Sequence, residues 1–283
     1  MHHHPIFQAF SRVSTVATGR HVYDFLGGIT DVSYKKGWAQ HAPRAGARIA
    51  PDYPVVNEHY FDWIATLESV RAARGTFRMA ELGAGWAPWL VRAALAARQC
   101  PAIVRTELVA VEADATHFDW VRAHFRDNGL VSPDFHFLHG AMAAHPGMVR
   151  FPKIANPDED YGASTRAVTA RSEYVEVAAF SMADVIDRLS GPIDFLHMDV
   201  QGAEYDVLPP AMDLVGHRVR AIMIGTHISG DRHDELARSF RQRGWKEVMN
   251  FPRNGHCSTP YGDVQFGDGF LYYRNPSLPL PSA

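Results

Sequence analysis

Four ionisable residues, Glu81, Glu112, Asp199 and His227, each stand at the end of an apolar run, which is where a sheet presents chemistry. Met79-Ala80-Glu81-Leu82-Gly83-Ala84-Gly85-Trp86 reads as a buried strand running into a glycine turn. Val109-Ala110-Val111-Glu112-Ala113-Asp114 reads as a second buried strand ending in an acid. A Gly-x-Gly turn lets backbone pass close to a ligand because neither glycine carries a Cβ. An acid at the tip of the next parallel strand can take both hydroxyls of a ribose, in the crevice where open α/β sheets bind ligands. The third glycine of the dinucleotide fingerprint is missing, which counts against a pyrophosphate cradle. Glu81 stands where it can meet an amine, and Pro88 falls in the first turn of the next helix, where proline is tolerated. Together these residues suit a nucleoside linked to an amino acid better than a dinucleotide.

These residues need a sheet to hold them, and the chain alternates accordingly. Strands are expected near 78–82, 107–112, 135–139, 193–198 and 219–224. Helices are expected near 88–99, 115–128, 181–189, 203–214 and 232–243. Parallel strands need helical crossovers, so this order implies an α/β, doubly wound, mostly parallel sheet. After Gly244 two strand-like segments, Trp245–Phe251 and Asp263–Arg274, follow without a helix, which predicts a terminal antiparallel hairpin and a seven-stranded sheet. An insertion between Gly147 and Val177 carries its own strand signals at Met148–Phe151 and Tyr174–Ala178. From Val56 to Ala73 apolar residues recur at helical spacing. Residues 1–75 therefore form an N-terminal helical or lid segment, 76–275 the sheet domain, and 276–283 a loose tail.

Composition narrows the function classes. The 283 residues are 46% hydrophobic and 21% charged, as in a globular protein, and the net charge of −3 with no basic run argues against nucleic acid. Two cysteines, Cys100 and Cys257, are too few for a disulfide framework, so a cytoplasmic setting is expected. No apolar run approaches the roughly 18 residues of a membrane helix, so no membrane partner is expected.

The glycine turn and its acidic neighbour resemble motif I and the following strand end of class I S-adenosylmethionine-dependent methyltransferases. A second constellation sharpens this. Ile193-Asp194-Phe195-Leu196-His197-Met198-Asp199-Val200-Gln201-Gly202-Ala203-Glu204 is similar to the Asp-x-Glu-Gly-Ala-Glu signature of the FkbM methyltransferase family, with Gln201 where that family usually has glutamate. Asn128-Gly129-Leu130, His139-Gly140-Ala141 and Gly147-Met148-Val149-Arg150-Phe151 resemble its neighbouring loops and strands. Ile222-Met223-Ile224-Gly225-Thr226-His227 lies where many members place an acid and a histidine, with Thr226 in place of the acid. The resemblance spans roughly residues 77–274 and leaves the first 75 unexplained.

It implies an S-adenosyl-L-methionine-dependent methyltransferase acting on a hydroxyl of a small metabolite or sugar. Two rivals stand beside it: a non-catalytic cofactor-binding regulator of the same fold, and a nucleotide-dependent dehydrogenase. Strand-end geometry and resemblance place the cofactor among Glu81, Gly83, Ala84, Gly85, Glu112, Ala113, Gly140, Ala141 and Asp199. An alcohol is a poor nucleophile while protonated. Asp199 and His227 are therefore the candidate catalytic pair, as a base or as holders of a divalent metal such as magnesium. Asp114 is expected to cap a helix, and His197 to be structural. The acids Asp158, Glu159 and Asp160 are expected to be solvated or to contact acceptor hydroxyls. Tyr53, Asn57, Tyr60 and Trp63 are candidate lid residues.

Overall fold

The computed structural model describes residues 2–167 and 173–278. Of the tail expected from 276 onward, 279–283 lie outside the described residues, as do 168–172 of the insertion. The N-terminal segment holds two small ribbons, β1 (Thr15–Val16) with β4 (Arg48–Ile49) and β2 (His21–Tyr23) with β3 (Ile29–Asp31). It ends in helix α1 (His59–Ala72). Residues Tyr60 to Leu67 of α1 are buried in succession, because the helix is covered on one side by the N-terminal segment and on the other by the sheet.

The sheet then alternates with helices: β5 (Gly75–Leu82), α2 (Pro88–Arg98), β6 (Ile103–Glu112), α3 (Ala115–Asp127) and β7 (Phe135–Met142). The insertion adds β8 (Gly147–Pro152) and β9 (Tyr174–Phe180). There follow α4 (Met182–Ile186), β10 (Phe195–Met198), α5 (Glu204–Arg218), β11 (Ala221–Thr226) and α6 (Gly230–Gln242). The chain closes with β12 (Lys246–Phe251), the small hairpin β13 (His256–Thr259) and β14 (Gly262–Gln265), and β15 (Gly269–Arg274). Strand order is β12-β15-β11-β10-β5-β6-β7-β9-β8. Helices α1–α3 pack one face and α4–α6 the other, giving the doubly wound architecture expected.

One detail differs from the sequence reading. The main sheet has nine strands among the described residues rather than seven, because β9 pairs parallel with β7 and carries β8 antiparallel on its far side. The alternating pattern of the insertion did mark strands; what it could not show was that they continue the main sheet. The expected C-terminal antiparallel pair is present as β12 and β15. β15 lies antiparallel between β11 and β12, and β13–β14 bridge the gap.

Strand order reverses between β5 and β10, and the chain is most tightly constrained there. The Asp199 N–H donates to the Leu82 carbonyl at 2.9 Å, just before the Gly83 turn. A Cβ built on Gly83, whose φ is +74°, would lie 1.8 Å from the Asp199 carbonyl oxygen. Only glycine fits, so the glycine turn and Asp199 are locked together. Gly83→Ala is expected to cost about 3 kcal/mol or more in urea unfolding. Gly129→Ala, with φ +60° but open space around its Cβ, controls for backbone strain at about 1 kcal/mol. Equal losses would mean that the contact with Asp199 does not matter.

Candidate functional site

A cavity of about 400 Å³ opens at the carboxyl ends of β5, β6, β7 and β10. Glu81, Gly83, Ala84, Gly85, Glu112, Ala113, Gly140, Ala141 and Asp199, the residues singled out from the sequence, all line it. The N-terminal segment contributes Lys35, Trp38, Asn57, His59 and Trp63, and the insertion contributes Asp160 and Tyr161. Tyr53 and Tyr60, read as lid residues, instead pack in the core with Phe7 and Phe25.

Glu112 is nearly buried, and its two oxygens accept the N–H groups of Gly85 at 2.7 Å and Asp114 at 2.8 Å. It thereby ties the second glycine of the turn to the end of β6. Burial pushes its carboxyl upward, partly offset by the nearby His117 and these two bonds. Asp114 caps α3 by accepting from Thr116 and His117, as its position suggested.

Glu81 lines the cavity and also supports the start of α2. Helix α2 begins at Pro88, its N-cap residue Ala87 has no side chain to cap it, and Glu81 accepts the N–H groups of Trp89 at 3.4 Å and Leu90 at 2.9 Å instead. It is only 1% exposed. Burial raises its pKa to about 7, against the pull of His197, the two N–H groups and Arg92.

At the end of β10 the Asp199 carboxylate accepts from Gln201 Nε2 at 2.7 Å. His227 Nε2 lies 3.3 Å away, an ion pair without hydrogen-bond alignment. Gln201 adopts a left-handed backbone, φ +52°, a strain that persists only where neighbours enforce it. His227 lies outside the cavity lining, behind Asp199. Its Nδ1 lies 3.1 Å from Oε1 of Glu204, a fully buried acid that also accepts the N–H groups of His227 and Gly202 at 2.8 Å each. Burial alone would lower the His227 pKa; the charges of Asp199 and Glu204 and the Glu204 bond at Nδ1 outweigh it and raise the value to about 10. Burial likewise opposes ionisation of Asp199, but His227 and Gln201 hold it below the usual carboxylate range. At neutral pH the pair is therefore an imidazolium and a carboxylate, and neither is a strong base.

The donor set gives the magnesium reading no support. Among the described residues no group of three or more His, Cys, Asp or Glu side chains is arranged to hold a metal ion. Thr226, standing where an acid was looked for, is buried against His233 Nδ1 at 2.6 Å.

An aromatic roof covers the glycine turn. Trp86 packs at 5.6 Å against Trp38 and at 4.9 Å against Tyr161, which stacks on His117 at 4.6 Å. Trp86 Nε1 is buried without a partner in a residue that lines the cavity, so a ligand acceptor would satisfy it. The Asp158 backbone carbonyl accepts the Lys36 N–H and the Glu159 carboxylate pairs with the Lys36 ammonium, strapping this roof down, and Asp160 is the cavity-lining member of that acidic run. Sequence reading missed Trp38, Trp89, Arg92 and the cavity-lining place of His197, since their neighbours arrive from distant segments.

Residues 103–247 match the model of the methyltransferase FkbM domain. Over 230 residues the chain is 30% identical to a protein of Jannaschia sp. (strain CCS1) whose own methyltransferase designation is provisional; the match covers 78% of this chain and 80% of that one. Among solved structures, methyltransferase FkbM from Methylobacillus flagellatus KT aligns at TM-score 0.46 and 11% identity, over 77% of this chain and 56% of that one. Precorrin-6y C5,15-methyltransferase from Geobacter metallireducens GS-15 aligns at TM-score 0.43 and 10% identity, over 80% and 92%. Likenesses that distant do not bear on activity or substrate.

The protonation of His227 makes a pH prediction. A histidine whose folded pKa is raised from 6.5 to about 10 contributes stability that is complete below pH 6.5 and lost as pH rises towards 10. The stability gap between wild type and His227→Gln, from urea unfolding across that window, should be widest at the acid end and narrow upward. A gap that does not change with pH would mean that folding leaves the His227 pKa unshifted, and one that widens upward would mean that His227 is held neutral in the folded protein.

Proposed function

The chain belongs to the FkbM methyltransferase domain family, and from that premise we propose that it moves a methyl group from S-adenosyl-L-methionine to a hydroxyl of a small metabolite or sugar. The observation that carries the cofactor reading is one cavity lined by both glycines of the turn, by Glu112 at the next strand end and by Asp199 at the topological switch. S-Adenosyl-L-methionine supplies a sulfonium methyl group, whose transfer releases a neutral thioether.

The chain's own residues supply alignment, which lowers barriers by roughly 7–11 kcal/mol in well-oriented systems. Glu112 would take the ribose hydroxyls, exchanging part of its present bonding to the Gly85 N–H. Gly83 and Gly85 would let the backbone approach the amino-acid end, and Trp86 and Tyr161 would cover the nucleoside. Asp199, ionised and 41% exposed at its side chain, would accept a hydrogen bond from the acceptor hydroxyl and favour a nearby positive charge; as the O–CH3 bond forms and the C–S bond breaks, the hydroxyl proton, now strongly acidic, would leave through this carboxylate to solvent. His227 acts through Asp199, fixing its orientation and charge, and is a positioning residue.

Calorimetric titration with S-adenosylhomocysteine and, in parallel, NAD tests the reading. The sulfur nucleoside should bind and NAD should not. Glu112→Ala should lose roughly ten- to a hundredfold in affinity, the worth of hydrogen bonds to a charged group. Asp199→Ala should lose far less. Equal losses would misplace the ribose, and tight NAD binding with no sulfur nucleoside bound would reject the cofactor assignment.

A further inference from the structure

The cavity wall formed by α1, α2 and β10 holds a charged cluster that the scheme above does not use. His197 lines the cavity and is 3% exposed. Its Nε2 lies 3.1 Å from Asp62 Oδ1, while its Nδ1 is buried with no hydrogen-bond partner in the protein. The other oxygen of Asp62 lies 3.5 Å from Nδ1 of His59, which also lines the cavity. The His197 ring stacks on Trp89 at 5.6 Å, and the Arg92 guanidinium sits 4.5 Å over both Trp89 and Trp63.

A buried imidazole nitrogen left unsatisfied is costly, and native structures keep such groups for a reason. Asp62 and Trp89 fix the ring in one orientation, so it cannot turn to find another partner within the chain. The groups facing this wall leave it positive. His59, His197 and Arg92 stand against two acids, Asp62 and Asp24, the latter 3.8 Å from Arg92. Glu81, register partner of His197 on the neighbouring strand, is spent on the α2 terminus and half-protonated near pH 7; Asp199 is held by His227 and Gln201. Burial opposes the charge on His197 and His59, but Asp62 outweighs it and raises both, which favours the doubly protonated ring; with Nε2 on Asp62, the proton left without a partner is the one on Nδ1.

We propose that His197, fixed through Nε2 by Asp62, is the hydrogen-bond donor to an anionic oxygen of the methyl acceptor. The acceptor is then a small acid, bearing a carboxylate or phosphate beside its hydroxyl and seated against Trp89. The word acceptor rests on the methyltransferase reading; the anion site itself does not.

Histidine side-chain NMR on the full chain saturated with S-adenosylhomocysteine tests this, with sodium acetate and inorganic phosphate as probes at constant ionic strength. Glycerol serves as the neutral control. The His197 resonance should shift saturably with acetate or phosphate and not with glycerol. Asp62→Asn should weaken that response roughly tenfold or more, and His197→Gln should abolish anion binding while keeping S-adenosylhomocysteine affinity within about threefold. No response to either anion in wild type, or an equal response to glycerol, overturns the proposal. A tenfold loss of S-adenosylhomocysteine affinity in His197→Gln also overturns it, because the site would then serve the cofactor's own carboxylate. Failure of wild type to bind the sulfur nucleoside would instead strike the cofactor reading, and the same anion titration without it still reads the His197 site.

Discussion

The site depends on one close approach, the Gly83 turn against the backbone of Asp199. Two parallel strands, β5 and β10, end side by side, and the chain leaves them in opposite directions across the sheet. With no Cβ at Gly83 the two strand ends close up, so the glycine turn and the Asp199 carboxylate open into the same cavity. Glu112 completes the arrangement from the other side by accepting the Gly85 N–H, while Gly83 and Ala84 donate to the Val111 carbonyl. Three strand ends are thus fixed to one another through backbone contacts, which side-chain motion does not loosen.

Around that frame, charge is buried only where it is paired. Glu204 is fully buried because His227 and two backbone N–H groups meet its oxygens, and Asp62 is buried because His59 and His197 flank it. Removing one partner of such a pair strands the other, at about 3–5 kcal/mol. The pairs also set protonation. They keep Asp199 an anion and His227 a cation, which suits a reaction governed by alignment and charge more than by proton transfer at those two groups. The N-terminal segment supplies Asp62 and His59 as well as part of the cavity wall, so it belongs to the site as much as to the core.

Much of this was legible in the sequence because strand ends are legible. Apolar runs closing on Glu81, Glu112 and Asp199 mark the edge of a parallel sheet, and Gly-x-Gly marks where backbone must come close. Partnership at long range was not legible. His197 reads as an ordinary strand residue until Asp62, 135 positions earlier, is found on its Nε2. That Glu81 also supports the start of α2 shows only once that helix is found to lack a cap of its own. The strands at 147–152 and 174–180 were visible, but joining them to β7 depends on backbone pairing that no local pattern encodes.

A crystal structure of the protein with S-adenosylhomocysteine tests the central claim most directly. The account predicts the ribose hydroxyls on Glu112, the amino-acid end against Gly83 and Gly85, and the sulfur facing the side of the cavity that carries Asp199. The nucleoside bound elsewhere, with Glu112 still closed on Gly85, would contradict it.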